Sequence, residues 1–432
     1  MKGDSLLFLI VISAGLLPAD AMDQSTPLPE PLTLEYALSL ANELAPPLRR
    51  ATAQLQVAQA ERVIAGSGYA TTLSMSARLR TIRSAESGST LDDHRVGFRV
   101  NRGLYDFGLT RSRLDAADAS IEARHWHLIE ARDAQRLRVM AAYFDVLLAD
   151  LEYVRDNEAM SIAFIHFDRT QDAHELRQVS DVELFESETA YQQSRHSRFV
   201  SAGQQRATRS RLAIALNRPE ELSSELALPE LDSLARPLPE VEDLTQQALS
   251  NSPTLRALQA ELTAAESEVE VADAGDGPVL SGVATLSEFT RETANGDRWQ
   301  FGLEFEMPLY DSGQTHAQVA HARAAVSGLQ AELAERRHEL RQAVLDIWLE
   351  LDGLGIRREG LEVQYDFRDL YLDRSRALYE LEAESDLGDA MVRVSDHRLQ
   401  AAEVSYRMVL LWAQLDALVI AHESLLIPGE VM

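Results

Sequence analysis

The sequence predicts an internally duplicated α+β membrane protein. Two β-hairpins per chain contribute to a twelve-stranded barrel closed by three copies, and long α-helices continue that barrel away from the membrane. Three observations predict it. The chain of 432 residues is written twice; each copy holds a hairpin that alternates apolar and polar residues; and each holds a proline-free stretch of helical periodicity far longer than a compact domain accommodates.

The duplication comes first, because a missed repeat misreads the whole fold. A shift of 205 residues lays Leu104-Tyr105-Asp106-x-Gly108 on Leu309-Tyr310-Asp311-x-Gly313. The same shift pairs Asp168, Arg169, Glu175, Leu176, Ser180 and Asp181 with Asp373, Arg374, Glu380, Leu381, Ser385 and Asp386. Near the start the shift is 207, where Pro46-x-Leu48-Arg49 meets Pro253-x-Leu255-Arg256. Small length changes in loops account for the difference.

The elements then follow in order. Residues 1–21 read as a secretory signal: Lys2, an apolar run from Leu6 to Leu17, then Pro18 and Ala19-Asp20-Ala21, with maturation at Met22. The run is shorter than the ~20 residues a spanning helix needs. The first repeat covers 22–217, with a helix from Leu34 to Ile64, a hairpin over 70–104 and a long helix pair over 109–217. Residues 218–241 carry Pro219, Pro229, Pro237 and Pro239 and form the joint, since proline at that density ends helices. The second repeat covers 242–422, with a helix from Asp243 to Ala272, a hairpin over 278–309 and a helix pair over 314–422, followed by a tail, 423–432.

In the first hairpin Leu73, Met75, Ala77 and Leu79 alternate with Ser74, Ser76, Arg78 and Arg80, and Val96, Phe98 and Val100 alternate with Gly97, Arg99 and Asn101. In the second, Trp299, Phe301, Leu303 and Phe305 alternate with Gln300, Gly302, Glu304 and Glu306, while the partner strand from Val279 to Thr290 alternates less cleanly. Period two means one apolar and one polar face. From Leu109 to Leu176 there is neither proline nor glycine, and Leu137, Met140, Phe144, Leu147, Leu151 and Val154 recur at coiled-coil spacing. At a rise of about 1.5 Å per residue such a helix is on the order of 100 Å long. The second copy repeats it from Gln314 to Leu381, with interruptions expected at Gly353, Gly355 and Gly360.

Composition excludes several classes. Asp plus Glu number 69 against 41 Lys plus Arg, a net charge of -28, which repels phosphate backbones, so nucleic acid is not a partner. A mean hydropathy of -0.20 is too low for a transmembrane helix bundle. With no cysteine, disulfides, thiolate metal sites and an N-terminal lipidated cysteine are out. The 11 histidines lack ligand spacing: His125 and His127 point to different helix faces, and His316 and His321 are five apart. No phosphate loop, nucleophile elbow or H-E-x-x-H occurs. The chain therefore reads as a non-enzyme without metal or cofactor, its energy supplied by a partner.

Four strands with an apolar face leave open edges, and closure removes them. Three chains supply twelve strands, each near the roughly 9 to 11 residues of a membrane barrel. With apolar residues turned to lipid, Arg78, Arg80 and Arg99 from copy one and Glu304 and Glu306 from copy two line the lumen. Opposite signs on the two copies are expected to pair across strands.

The duplicated order of helix, hairpin and long helix pair, with Pro308-Leu309-Tyr310-Asp311-Ser312-Gly313 leading from strand to helix, resembles the TolC-type outer-membrane efflux protein family. The likeness covers nearly all of the chain after the signal; copy one departs with Gly103 where copy two has Pro308. It implies a homotrimer in outer-membrane lipid, continued by a periplasmic helical tunnel. It further implies a passive duct in a tripartite efflux or type I secretion system, docked to a periplasmic adaptor and an inner-membrane efflux pump or ABC transporter. The distal helix turns, 175–183 and 380–389, are then the adaptor-contacting tips, with Ser180, Ser385, Arg177 and Glu382; family members usually carry glycine where Arg177 and Glu382 stand. Ser180 with Glu183 fits a capping box, and Ser385 fits an N-cap. The resemblance also implies an acidic periplasmic entrance, for which Asp386, Asp389 and Asp181 are the candidates. Two other readings of the same pattern are a non-conducting coiled-coil spacer of the cell envelope and a periplasmic adaptor.

Overall fold

Proline divides the opening helix of each copy. The computed structural model describes residues 27–41, 45–83, 88–221, 225–290, 297–381 and 386–421; the signal segment 1–21 and the tail 423–432 lie outside them. In copy one the helices are α1 (Leu34–Leu40) and α2 (Pro46–Ala65); in copy two they are α5 (Val241–Asn251) and α6 (Pro253–Asp273). The single helices expected over 34–64 and 243–272 are thus each two. The residue before proline is pushed out of the helical region, and Ala45 and Ser252 hold ψ of 144° and 122°. Proline then fits the first helical position, where its missing N–H is not needed.

The strands are β1 (Thr71–Arg78), β2 (Thr81–Arg83), β3 (Thr90–Asp92), β4 (Arg95–Tyr105), β5 (Val279–Phe289) and β6 (Trp299–Glu306). The short β2–β3 ribbon extends the first hairpin past the main sheet. That sheet is antiparallel with order β1-β4-β5-β6, so the two copies join through β4 and β5, and β1 and β6 are left as edges.

Two helices of 67 residues dominate the molecule: α3 (Leu109–Glu175) and α7 (Gln314–Glu380). Each turns back into a shorter partner, α4 (Asp181–Ala215) and α8 (Leu387–Val419). The interruptions expected at Gly353, Gly355 and Gly360 do not occur; α7 runs through all three. Glycine in a helix interior costs about 1 kcal/mol against alanine, too little to break a helix whose neighbours pack along it. α3 packs against α4 on one side and α8 on the other, and α7 packs on α8. α4 and α7 therefore lie at the two edges of this row, as β1 and β6 do in the sheet.

The cores lie midway along the helices. One gathers Leu340, Val344, Leu411, Trp412 and Leu415 from copy two; the other gathers Leu40, Val139, Tyr143, Phe144 and Leu212 from copy one. Phe144 stacks on Tyr406 at 4.6 Å between ring centres, which ties the copies together. The joint between copies is pinned rather than loose. Leu32 pairs with the 225–227 segment, and the buried Tyr143 hydroxyl shares its one proton between the carbonyls of Leu32 (2.8 Å) and Ala227 (2.5 Å).

Candidate functional site

The sheet separates most of its side chains by polarity, with Arg102 and Glu288 as charged exceptions on the apolar face and Val279, Val283 and Phe289 as apolar ones on the polar face. Across one face the register aligns Met75, Phe98, Leu286 and Trp299, and the next step on the same face aligns Leu73, Val100, Ala284 and Phe301. These large side chains are exposed, Leu73 at 70% and Phe301 at 74%, because no helix covers them. A contiguous apolar face of this kind marks a surface that meets lipid or another protein. No helix among the described residues is long and apolar enough to cross a membrane.

The opposite face carries Ser74, Ser76 and Arg78 on β1, Arg95 and Arg99 on β4, Thr285 and Ser287 on β5, and Gln300, Glu304 and Glu306 on β6. Arg78, Arg99, Glu304 and Glu306 thus share one face. Arg80 does not: it lies beyond β1 and pairs with Asp93 at 2.5 Å. The expected pairing of opposite signs across copies is also absent. Arg78 stands opposite Arg95, Arg99 lies between Ser74 and Thr285, and Glu304 pairs with Ser281. The reason is register: basic residues occupy the end of the sheet far from the helices, and the glutamates the end next to them.

Leu-Tyr-Asp-x-Gly is the device that turns strand into long helix. In copy one the Asp106 carboxylate accepts from the Thr110 N–H (2.9 Å), from the Thr110 hydroxyl and from the Tyr69 hydroxyl (2.5 Å). In copy two Asp311 accepts from the N–H groups of Gly313 (2.9 Å) and Thr315 (2.6 Å). Gly108 and Gly313 take φ of 106° and 84°, a backbone that other residues adopt at a cost. Burial pushes the Asp106 carboxyl up, but the bonds from Thr110 and Tyr69 outweigh it and hold it below the usual range. The Thr315 and Gly313 amides bring Asp311 down to about 2. The threonine four residues after the aspartate belongs to the motif in both copies, and the matched spacing of Thr110 and Thr315 was the signal for it. Gly103 has its own cause: a Cβ there would lie 2.0 Å from the Gly68 carbonyl oxygen, so the strand passes that turn only as glycine.

At the first tip Arg177 holds a left-handed φ of 58°, the conformation for which glycine is the usual choice. Its N–H reaches the His174 carbonyl, and the next N–H, of Gln178, reaches Ala173, closing the end of α3. Ser180 and Glu183 form the full capping box of α4. Asp181 is tied to His174 at 2.7 Å. At the second tip Glu382 and Ser385 lie outside the described residues, and the N-cap of α8 is Asp386, one residue later than expected. Asp386 closes the first turn of α8 from the cap position, its carbonyl accepting from the Ala390 N–H at 2.9 Å, and Asp389 lies within that turn. The Asp386 carboxylate accepts from the hydroxyls of Tyr371 and, at 2.9 Å, Ser375, both on α7, which lowers its pKa. Asp389 is exposed and makes no hydrogen bond or ion pair among the described residues.

Sequence reasoning missed a charged brace between the copies. His127 on α3 lies 3.2 Å from Glu130 and 3.1 Å from Glu261 on α6, and Thr254 donates to Glu130 at 3.0 Å. The two carboxylates outweigh burial and raise the His127 pKa to about 9. No group of three or more His, Cys, Asp or Glu able to hold a metal occurs among the described residues.

Residues 244–419 match the family model described as outer membrane efflux protein. The chain is 22% identical over 361 residues to the outer membrane efflux protein BepC of Brucella suis biovar 1 (strain 1330), covering 80% of this chain and 75% of that protein. It shares its fold with the CmeC outer membrane channel of Campylobacter jejuni (TM-score 0.73, 15% identity, 89% of this chain and 85% of that one). It shares it equally with the outer membrane protein VceC of Vibrio cholerae (TM-score 0.72, 16% identity, 90% and 96%). The second copy is thus matched by the outer membrane efflux protein model, and the whole chain, with its sheet and two 67-residue helices, shares the fold of these outer membrane proteins.

Proposed function

We propose that this chain is the outer-membrane channel of a tripartite efflux or type I secretion system. Three copies close their sheets into a twelve-stranded barrel, and the helices prolong the bore into the periplasm as a passive duct. The observation that carries this reading is the uncovered apolar face of a sheet with two free edges, β1 and β6, at the end of helices on the order of 100 Å long. Closure satisfies the backbone groups of both edges at once. Apolar side chains left exposed on the edge helices, Leu349, Ile356, Val363 and Phe367 on α7 and Phe185 and Phe199 on α4, support the same closure one level down.

In this assembly the tips around Arg177, Ser180, Glu382 and Ser385 meet a periplasmic adaptor, which links the duct to an inner-membrane efflux pump or ABC transporter. Asp389 supplies the free carboxylate of the entrance, while Asp386 and Asp181, each held within its own chain, brace the tips. The duct needs no cofactor of its own. The test is a detergent-stable trimer recovered from the outer-membrane fraction that passes current in planar bilayers. A monomer in the soluble periplasm, or a trimer that conducts nothing with its tips deleted, overturns it.

A further inference from the structure

We propose that the half of the barrel lumen far from the helices is an anion-concentrating collar. Arg78, Arg95 and Arg99 of each copy draw in small anions and the carboxylate, sulfonate or phosphate groups of passing solutes. The proposal rests on the channel reading, in which the polar face of the sheet turns inward.

Arg78 and Arg95 are direct partners in the register, and Arg99 follows two steps from Arg95 on the same face. Like charges at opposed positions destabilise a strand pair, so this arrangement is costly for the sheet alone. The remaining residues of this region, Ser74, Ser76, Gly97, Thr285, Ser287 and Phe289, are neutral. Arg95 donates to the Ser287 hydroxyl at 3.1 Å, and among the described residues none of the three arginines has a carboxylate within ion-pair distance. Arg80, just outside the strand, shows the contrast: its charge is already met by Asp93.

The nearest carboxylates on this face, Glu304 and Glu306, sit near the helix end. Glu304 shares the level of Ser281 and Gly103, four residues along β4 from Arg99 and eight from Arg95. At about 3.3 Å per residue that is roughly 13 Å and 26 Å along the strand. The Debye length at physiological salt is about 8 Å, so the two zones do not cancel. A narrow polar bore with low-dielectric walls focuses the field of such fixed charges. The collar is thus positive within a chain whose net charge is -28.

The absence of cysteine permits a direct measurement of the local potential. Single substitutions Ser76→Cys, beside the arginines, and Ser281→Cys, opposite Glu304, are made in the full chain reconstituted in phospholipid vesicles. Each is labelled with anionic sulfonatoethyl and cationic trimethylammonioethyl methanethiosulfonate, and each rate is divided by that of a free thiol. A shift in the thiol's own pKa acts on both reagents equally and cancels in their ratio. The anionic reagent is expected to be favoured by roughly tenfold at Ser76→Cys, as a potential of about one kT acting on both reagents gives, and the preference to reverse at Ser281→Cys. Arg95→Gln is expected to weaken the preference at Ser76→Cys, and the combined Arg78→Gln, Arg95→Gln and Arg99→Gln to abolish it. The same anion/cation ratio at both positions overturns the collar, whether or not the arginine variants assemble. The apolar-face substitution Leu286→Cys separates this from failure of the barrel. If it labels as fast as Ser76→Cys, that face is not in lipid and the channel reading itself falls.

Discussion

Replacing Asp106 with alanine tests whether the strand-to-helix joint is a capping device or a surface turn. Asp106 is 8% exposed and Thr110 1%. The carboxylate accepts from the Thr110 amide, the Thr110 hydroxyl and the Tyr69 hydroxyl, and its removal strands the two buried Thr110 donors. Loss of a capping side chain costs about 1 kcal/mol, and leaving a buried donor unpaired adds about 1–3 kcal/mol. The sum is about 2–4 kcal/mol. Because large membrane assemblies unfold irreversibly, the assay is the rate at which helical circular dichroism decays in detergent at fixed temperature. If the joint is lost before the barrier, that destabilisation speeds decay roughly thirty- to eight-hundred-fold. Asp311→Ala, at the less buried twin, is expected to speed decay far less. Adding Thr110→Ala to Asp106→Ala should recover part of the loss, since it deletes one stranded hydroxyl. Equal losses at the twin positions, or strictly additive losses for Asp106 and Thr110, would refute the reasoning.

Three further outcomes follow from the geometry. His127 between Glu130 and Glu261 has a folded pKa near 9, above the ~6.5 of an unfolded histidine, so its contribution is complete below pH 6.5 and fades as pH rises through 9. Melting curves of the parent and His127→Gln are expected to differ most near pH 6 and to converge above pH 9; a gap that widens with pH contradicts the brace. Gly103→Ala places a methyl against the Gly68 carbonyl and should block assembly, whereas Gly302→Ala meets nothing within 4 Å and should assemble normally, as heat-resistant trimers on gels report. At the tips, Asp386→Ala should loosen α7 from α8 and raise resting conductance in bilayers. Asp389→Ala should instead relieve block by divalent cations while leaving thermal stability unchanged; the reverse assignment of effects would show that the wrong carboxylate lines the entrance.

What the sequence determined by itself was whatever depends on local period and on repetition. The period of two in Leu73 to Arg78, the proline-free run from Leu109, and the matched Leu-Tyr-Asp-x-Gly of both copies specify strands, long helices and their order, because each is dictated by neighbours along the chain. The capping box of Ser180 and Glu183 was legible for the same reason. Tertiary structure alone decided which charges meet. Arg78 faces Arg95 through the register of its own hairpin, and Arg99 meets Thr285 instead of a glutamate because β4 pairs with β5 from the other copy, a register that no local pattern encodes. Asp386 is a brace and Asp389 is free because Tyr371 and Ser375 reach across from the preceding helix. His127 joins the copies because α6 brings Glu261 to it. Proline at 46 and 253 is visible in the sequence, but whether it ends a helix depends on packing that only the folded chain supplies.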